Sequence, residues 1–201
     1  MLTLRVRLLS IAQVARTWWP DVETAHSLAT RRLWQLHGAG KLHLFSILAH
    51  PEIPLRHPLA TWKPRETEPN FGRLAHQLRT RWTENVTTQR AVVATAESGR
   101  EFGGWGGRLP RATEQTHDLH LAAVYLAKRR EDPQAASHWE SEELVRLKLK
   151  LKGKLSGDRL PDAIVSRPKR VAIEFAGRYA PAKLRAFHHY CSGKGLRYEL
   201  W

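Results

Sequence analysis

Cysteine is almost missing from this chain of 201 residues: Cys191 is the single one. That excludes an internal disulfide and a zinc cluster built on cysteines. Long apolar runs are missing as well, and none approaches the ~20 residues that a membrane span needs. The opening Met1-Leu2-Thr3-Leu4-Arg5-Val6-Arg7 holds too short an apolar run for a secretory signal. A reduced, cytoplasmic setting with no membrane partner is therefore expected. No HExxH or comparable zinc spacing links the eleven histidines. Acids are scarce: 19 Asp plus Glu stand against 33 Lys plus Arg, a formal net charge of +14. An excess of that size favours a polyanionic partner, of which nucleic acid is the commonest. Hydrophobic residues make up 42% of the chain, enough to build a core in one large domain or two small ones.

Residues 1–66 read as a first domain. Ser10 is placed to cap a helix over 11–16, with Ile11, Val14 and Ala15 on one face. Pro20, after Trp18-Trp19, ends it. A second helix over 23–36 carries an apolar stripe of Ala25, Leu28, Ala29, Leu33 and Leu36, and Gly38-Ala39-Gly40 stops it. His26, Ser27, Thr30 and Arg31 fall mostly on the other side. Helix, short turn and longer helix with polar residues outward is the helix-turn-helix pattern. Lys41 to Leu48 alternates as a strand, and Leu59 to Lys63 reads as its return strand. The two would frame a basic loop, a wing. Trp34 and Trp62 stand at apolar positions and read as core. This stretch resembles the winged-helix family. The resemblance implies that the second helix enters the major groove, with Ser27, Thr30 and Arg31 facing bases. It also implies that Arg56, His57, Lys63 and Arg65 touch the DNA backbone. An ordinary helical hairpin with a solvated basic face, or a protein-docking module, fits the same residues.

Residues 67–115 read as a connector. The polar, Pro-containing stretch from Lys63 to Asn70 leads into a helix over 71–82, with Phe71, Leu74, Ala75 and Leu78 on one side. Ala91 to Thr95 is a short strand. Glu101-Phe102-Gly103-Gly104-Trp105-Gly106-Gly107-Arg108 lacks the Lys-Ser/Thr ending of a phosphate-binding loop. It is expected as a flexible loop whose Trp105 and Arg108 approach DNA.

Residues 116–201 read as an α/β domain. An amphipathic helix over 117–130 comes first. The alternation Leu147-Lys148-Leu149-Lys150-Leu151-Lys152 suggests a half-buried strand with a lysine face, with a helix entering from Glu142 as the alternative. Arg146, Lys148, Lys150, Lys152 and Lys154 would supply charge to phosphate. Gly153 and Gly157 punctuate the next loop. Two short apolar runs, Leu160 to Ser166 and Arg170 to Arg178, flank Arg167-Pro168-Lys169 as a hairpin. A helix over 180–191, with Leu184, Phe187 and Tyr190 inward, and a last strand over 196–201 complete the domain. The hairpin lets Asp162 and Glu174 point at one spot. Paired acids there either hold a hard cation such as Mg²⁺ or pair with basic neighbours.

A helix opening His117-Asp118-Leu119, Trp139 followed by acids, Leu160-Pro161-Asp162-Ala163, a strand with Ile173-Glu174 and a Tyr-bearing helix together resemble the replication-relaxation family. The resemblance covers most of the chain. It implies an α+β protein: an N-terminal winged helix-turn-helix followed by a restriction-endonuclease-like α/β core of the PD-(D/E)XK type. It also implies duplex DNA as partner and a link to plasmid or mobile-element replication. In nuclease members of the wider fold the metal ligands would correspond here to Glu142 or Glu143, Asp162 and Glu174. The lysine two residues beyond the strand acid is replaced by Ala176, leaving Lys183 as a displaced substitute, since arginine is a poor proton acceptor. Two functions follow: a DNA-binding accessory or regulatory protein with an inactive core, or a Mg²⁺-dependent endonuclease using Asp162, Glu174 and Lys183. A homodimer is compatible with either.

Overall fold

The computed structural model describes residues 1–154 and 159–201; the turn expected at Gly157 lies outside them. Among the described residues the chain is a mixed α+β protein with two sheets. It opens with β1 (Leu8–Ser10), α1 (Ile11–Trp18), α2 (Ala25–Gly38) and β2 (Leu42–Ala49). Next come β3 (Ala60–Trp62), α3 (Phe71–Thr80), β4 (Thr87–Ala94), α4 (Ala96–Phe102) and the long α5 (Ala112–Glu131). The remainder is α6 (Pro133–Ser137), β5 (Trp139–Ser141), α7 (Glu142–Leu151), β6 (Ala163–Val165), β7 (Val171–Glu174), α8 (Pro181–Gly193) and β8 (Arg197–Leu200). The elements form two compact units, one of Met1–Glu52 with Glu84–Leu126, the other of Ile53–Thr83 with Ala127–Trp201. This grouping cuts the chain differently from a linear division at 66 and 115.

In the first unit the sheet order is β1-β4-β2, antiparallel throughout. Ser10 starts α1 with a capping box: its Oγ accepts the Gln13 N–H at 3.1 Å, and Gln13 Oε1 accepts the Ser10 N–H at 3.0 Å. Gln13 is fully buried, which is tolerable because its Nε2 also donates to the Leu119 carbonyl at 2.8 Å. Leu8, Ile47, Ala49, Ala91, Val93 and Leu119 close the core under the sheet.

The expected wing is not formed. β2 pairs with β4 along its whole length, from Leu42↔Ala94 to Ala49↔Thr87. The expected return strand is β3, which pairs with β8 in the other unit, Ala60↔Leu200 to Trp62↔Tyr198. Pro51, Pro54 and Pro58 deny amide donors to a local hairpin, whereas β4 offers eight uninterrupted partners. Trp62 adds the pull of burial: it stacks on Tyr198 with centroids 5.6 Å apart.

The glycine-rich loop after α4 is held in place, which corrects the flexible reading. Trp105 N–H donates to the Thr3 carbonyl and Gly107 N–H to the Ala94 carbonyl, both at 2.8 Å. A Cβ at Gly104 would lie 1.9 Å from the Thr3 oxygen, and one at Gly106 would lie 2.0 Å from the Thr95 oxygen. Glycine is there because backbone passes against backbone.

The second unit has sheet order β3-β8-β7-β6-β5. β5, β6 and β7 form an antiparallel meander, and α8 carries the chain to β8, parallel to β7. One cluster packs α3 and α8 on this sheet through Trp62, Phe71, Leu74, Leu184, Phe187 and Tyr198. The Leu/Lys alternation after Glu142 folds as α7, the helical alternative. Glu142 and Glu143 in its first turn and lysines in its last match the helix dipole, and Glu142 pairs with Arg146 one turn on at 2.5 Å. Val145 packs inward with Leu160 and Ile164, joined by Leu149. Leu147 and Leu151 stay exposed.

Candidate functional site

A group of buried and half-exposed charged side chains lies where β6 begins and β7 ends. Ala163 pairs with Ile173, so one step outward puts Asp162 opposite Glu174, as the local hairpin predicted. Both are buried; Glu174 is 0% exposed. A buried carboxylate needs donors or a counter-charge. Glu174 Oε1 accepts from Arg159 Nη2 at 2.7 Å and from the Tyr179 hydroxyl at 2.8 Å. Its Oε2 accepts the Asp162 N–H at 3.3 Å. Asp162 Oδ2 accepts the Phe175 N–H at 2.7 Å. Arg159 Nη2 also donates to the Tyr179 oxygen. Lys183 Nζ sits 3.5 Å from the Tyr179 ring centroid, a cation–π contact.

The electrostatics follow from these neighbours. Burial pushes the Tyr179 phenol far above its usual range, and Glu174 and Asp162 push the same way, so it stays a donor. Burial pulls Lys183 below its ordinary value, Arg159 pulls with it, and the two carboxylates partly oppose them. Arg159 is held above its ordinary value: burial opposes this, but Glu174, Tyr179 and Asp162 outweigh it. The Cys191 thiol is pushed up to about 12 by burial and then by Glu174, which keeps it protonated and unreactive.

The donors around the two acids leave little room for Mg²⁺. Both Glu174 oxygens already accept hydrogen bonds, and one Asp162 oxygen does too. Glu142, the expected third ligand, gives its backbone N–H to the Asp162 carbonyl at 2.9 Å but turns its carboxylate to Arg146. Among the described residues no three His, Cys, Asp or Glu side chains converge to hold a metal ion. A hard cation needing about six oxygen ligands does not fit this arrangement. Ala176 is buried in the apolar cluster with Trp62, Phe71 and Leu184, where a lysine would have to bury its ammonium. Its carbonyl is capped by Arg81 Nη2 at 2.6 Å. That guanidinium lies 4.7 Å from the Phe175 centroid, and burial lowers its pKa to about 10.

The other expected residues are spread. Ser27 and Arg31 are exposed on α2. Thr30 is half-buried and its Oγ1 is buried without a hydrogen-bond partner, so it faces inward rather than toward a ligand. Arg56 is exposed in the segment before β3, and Lys63 pairs with Glu66 at 3.1 Å. Lys148, Lys150 and Lys152 are exposed on α7 and at its end, with Lys148 paired to Glu140 at 2.8 Å. Arg108 is taken by Glu114 at 2.6 Å. Trp34, expected in the core, is 51% exposed on α2, with the Arg90 guanidinium 5.9 Å from its ring. Its position one step off the Ala29–Leu33 stripe was the available signal. Arg159 and Tyr179 went unpredicted; three and five residues separate them from Asp162 and Glu174, a spacing with no motif attached. No protein family, characterised protein or solved structure matches the chain. No helix among the described residues is long and apolar enough to cross a membrane.

Proposed function

We propose that this chain is a duplex-DNA-binding accessory protein whose nuclease-like core does not cleave. The observation that carries the reading is the first unit: strand, two helices and two antiparallel strands in the order β1-β4-β2. This order supports a winged-helix-like reading in which β2 and β4, rather than β2 and β3, would frame the wing, with α4 and most of α5 added to the unit. Its second helix presents Ser27, Arg31 and Trp34 to solvent, and the chain's charge of +14 supports a phosphate-bearing partner. The antiparallel β5-β6-β7 meander with parallel β8 supports a core of the PD-(D/E)XK kind. Its engaged carboxylates and Ala176 favour a scaffold over a catalyst. The sequence resemblance adds plasmid or mobile-element replication as the setting. Fluorescence anisotropy with a labelled duplex tests the reading. Binding should weaken steeply with salt, at a log–log slope of about one per phosphate contact, and Arg31→Gln should weaken it several-fold. Salt-independent binding, or none, refutes it.

The second reading is a Mg²⁺-dependent endonuclease, which would require the ion to displace the donors that now engage Asp162 and Glu174, with Lys183 beside them on the Tyr179 ring. Nicking of supercoiled plasmid that needs Mg²⁺ or Mn²⁺ and disappears in Asp162→Ala would establish it.

A further inference from the structure

We infer that Arg159 and Lys183 form a metal-free subsite for a phosphate group, in which the Arg159 guanidinium bridges Glu174 to the bound anion. The inference rests on the DNA-binding reading and adds a second contact point, on a different unit from α2. Three observations carry it. Arg159 spends Nη2 on Glu174 and Tyr179, and its side chain is 50% exposed. Its Nη1 and Nε have no hydrogen-bond partner among the described residues, so a second fork of the guanidinium remains for an outside ligand. Lys183 is the complementary case: its ammonium lies on the Tyr179 ring and has no ion-pair partner among the described residues. The third is backbone. Lys183 stands in the first turn of α8, which is headed by Pro181 and has no side-chain cap among the described residues, so it lies at the positive end of the helix dipole.

Two cations sharing one aromatic ring repel each other, and an anion touching both relieves that repulsion. A phosphodiester fits: Arg offers a planar fork to two oxygens, and Lys offers a point charge. Asp162 and Glu174 oppose an anion, but they are buried behind the first layer of cations, and Coulomb interaction falls with distance. In a metal-dependent nuclease a divalent ion links acid to phosphate. Here the chain's own guanidinium stands in that position.

The test uses the full chain, a labelled duplex and an EDTA buffer. Lys183→Gln is the main variant, because Lys183 is exposed and holds no internal ion pair; Arg159→Gln is the second. Each should lower affinity roughly five- to tenfold at low salt and reduce the salt slope by about 1, and Lys183→Arg should restore both. Replacing EDTA by Mg²⁺ should change nothing beyond screening. Wild-type affinity and slope in Lys183→Gln overturn the subsite while leaving α2-mediated binding standing. Affinity that rises with Mg²⁺ and loses that rise in Asp162→Ala overturns it in favour of a metal-bridged phosphate. If the wild type binds no duplex, the DNA reading fails, and inorganic phosphate titrated into the protein decides the subsite alone. Amide shifts around Tyr179 and Lys183 that vanish in Lys183→Gln uphold it, and their absence overturns it.

Discussion

The Glu174 cluster can be taken apart one donor at a time. Tyr179→Phe removes the hydroxyl 2.8 Å from Glu174 Oε1 and little else, since the ring is otherwise kept. A hydrogen bond to a charged group contributes about 1.5–3 kcal/mol. Tyr179 is 8% exposed and Glu174 0%, so water cannot readily replace the donor, and about 2 kcal/mol is expected. Arg159→Gln removes the charge. Breaking a buried pair costs about 3–5 kcal/mol. Arg159 is half exposed, however, and screening reduces its share to about 1–2 kcal/mol. The two donors share one oxygen and touch each other, so their effects should couple by about 1 kcal/mol in a double-mutant cycle. Native-state hydrogen exchange of the β6 and β7 amides reads these losses in the unit concerned. A Tyr179→Phe variant within about 0.5 kcal/mol of wild type would refute the reasoning. So would strictly additive single and double variants, because the oxygen would then not be shared.

Two further outcomes test other parts of the fold. Gly106→Ala should destabilise the first unit by at least about 2 kcal/mol, because its Cβ would lie 2.0 Å from the Thr95 oxygen; a thermal melt within a degree of wild type would show that the loop simply moves. His188 is buried, lies against Trp62 and Phe71, and pairs loosely with Glu68 at 3.4 Å. Burial lowers its pKa and His189 lowers it further, while Glu68 opposes them. Its unfolded form therefore takes up a proton before the folded form does, and stability should fall as pH drops below about 6.5. Urea midpoints at pH 7.5 and 5.5 check this: His188→Gln should narrow the difference between them, and an unchanged difference sinks the assignment.

Local physics was legible from the residues. Ser10 marked the start of α1, Pro20 its end, and Gly38 to Gly40 the end of α2. The turn at Arg167-Pro168-Lys169 sits between two short apolar runs, so the hairpin that brings Asp162 to Glu174 needed only neighbours in the chain. Where two local readings were equally good, the tertiary structure decided. Leu147 to Lys152 satisfies both a two-residue and a helical period, and the acids before it together with the Val145 pocket made it a helix. β2 had to choose between a nearby proline-broken partner and the longer, more distant β4. Register depends on hydrogen bonds and burial that no window of sequence contains. Trp34 looked like core by composition and is exposed because it lies just off the buried stripe. The identity of the two acids was in the sequence. That Arg159, Tyr179 and Lys183 close over them was not, because convergence of three side chains from a loop and a helix start exists only once the sheet and α8 have packed.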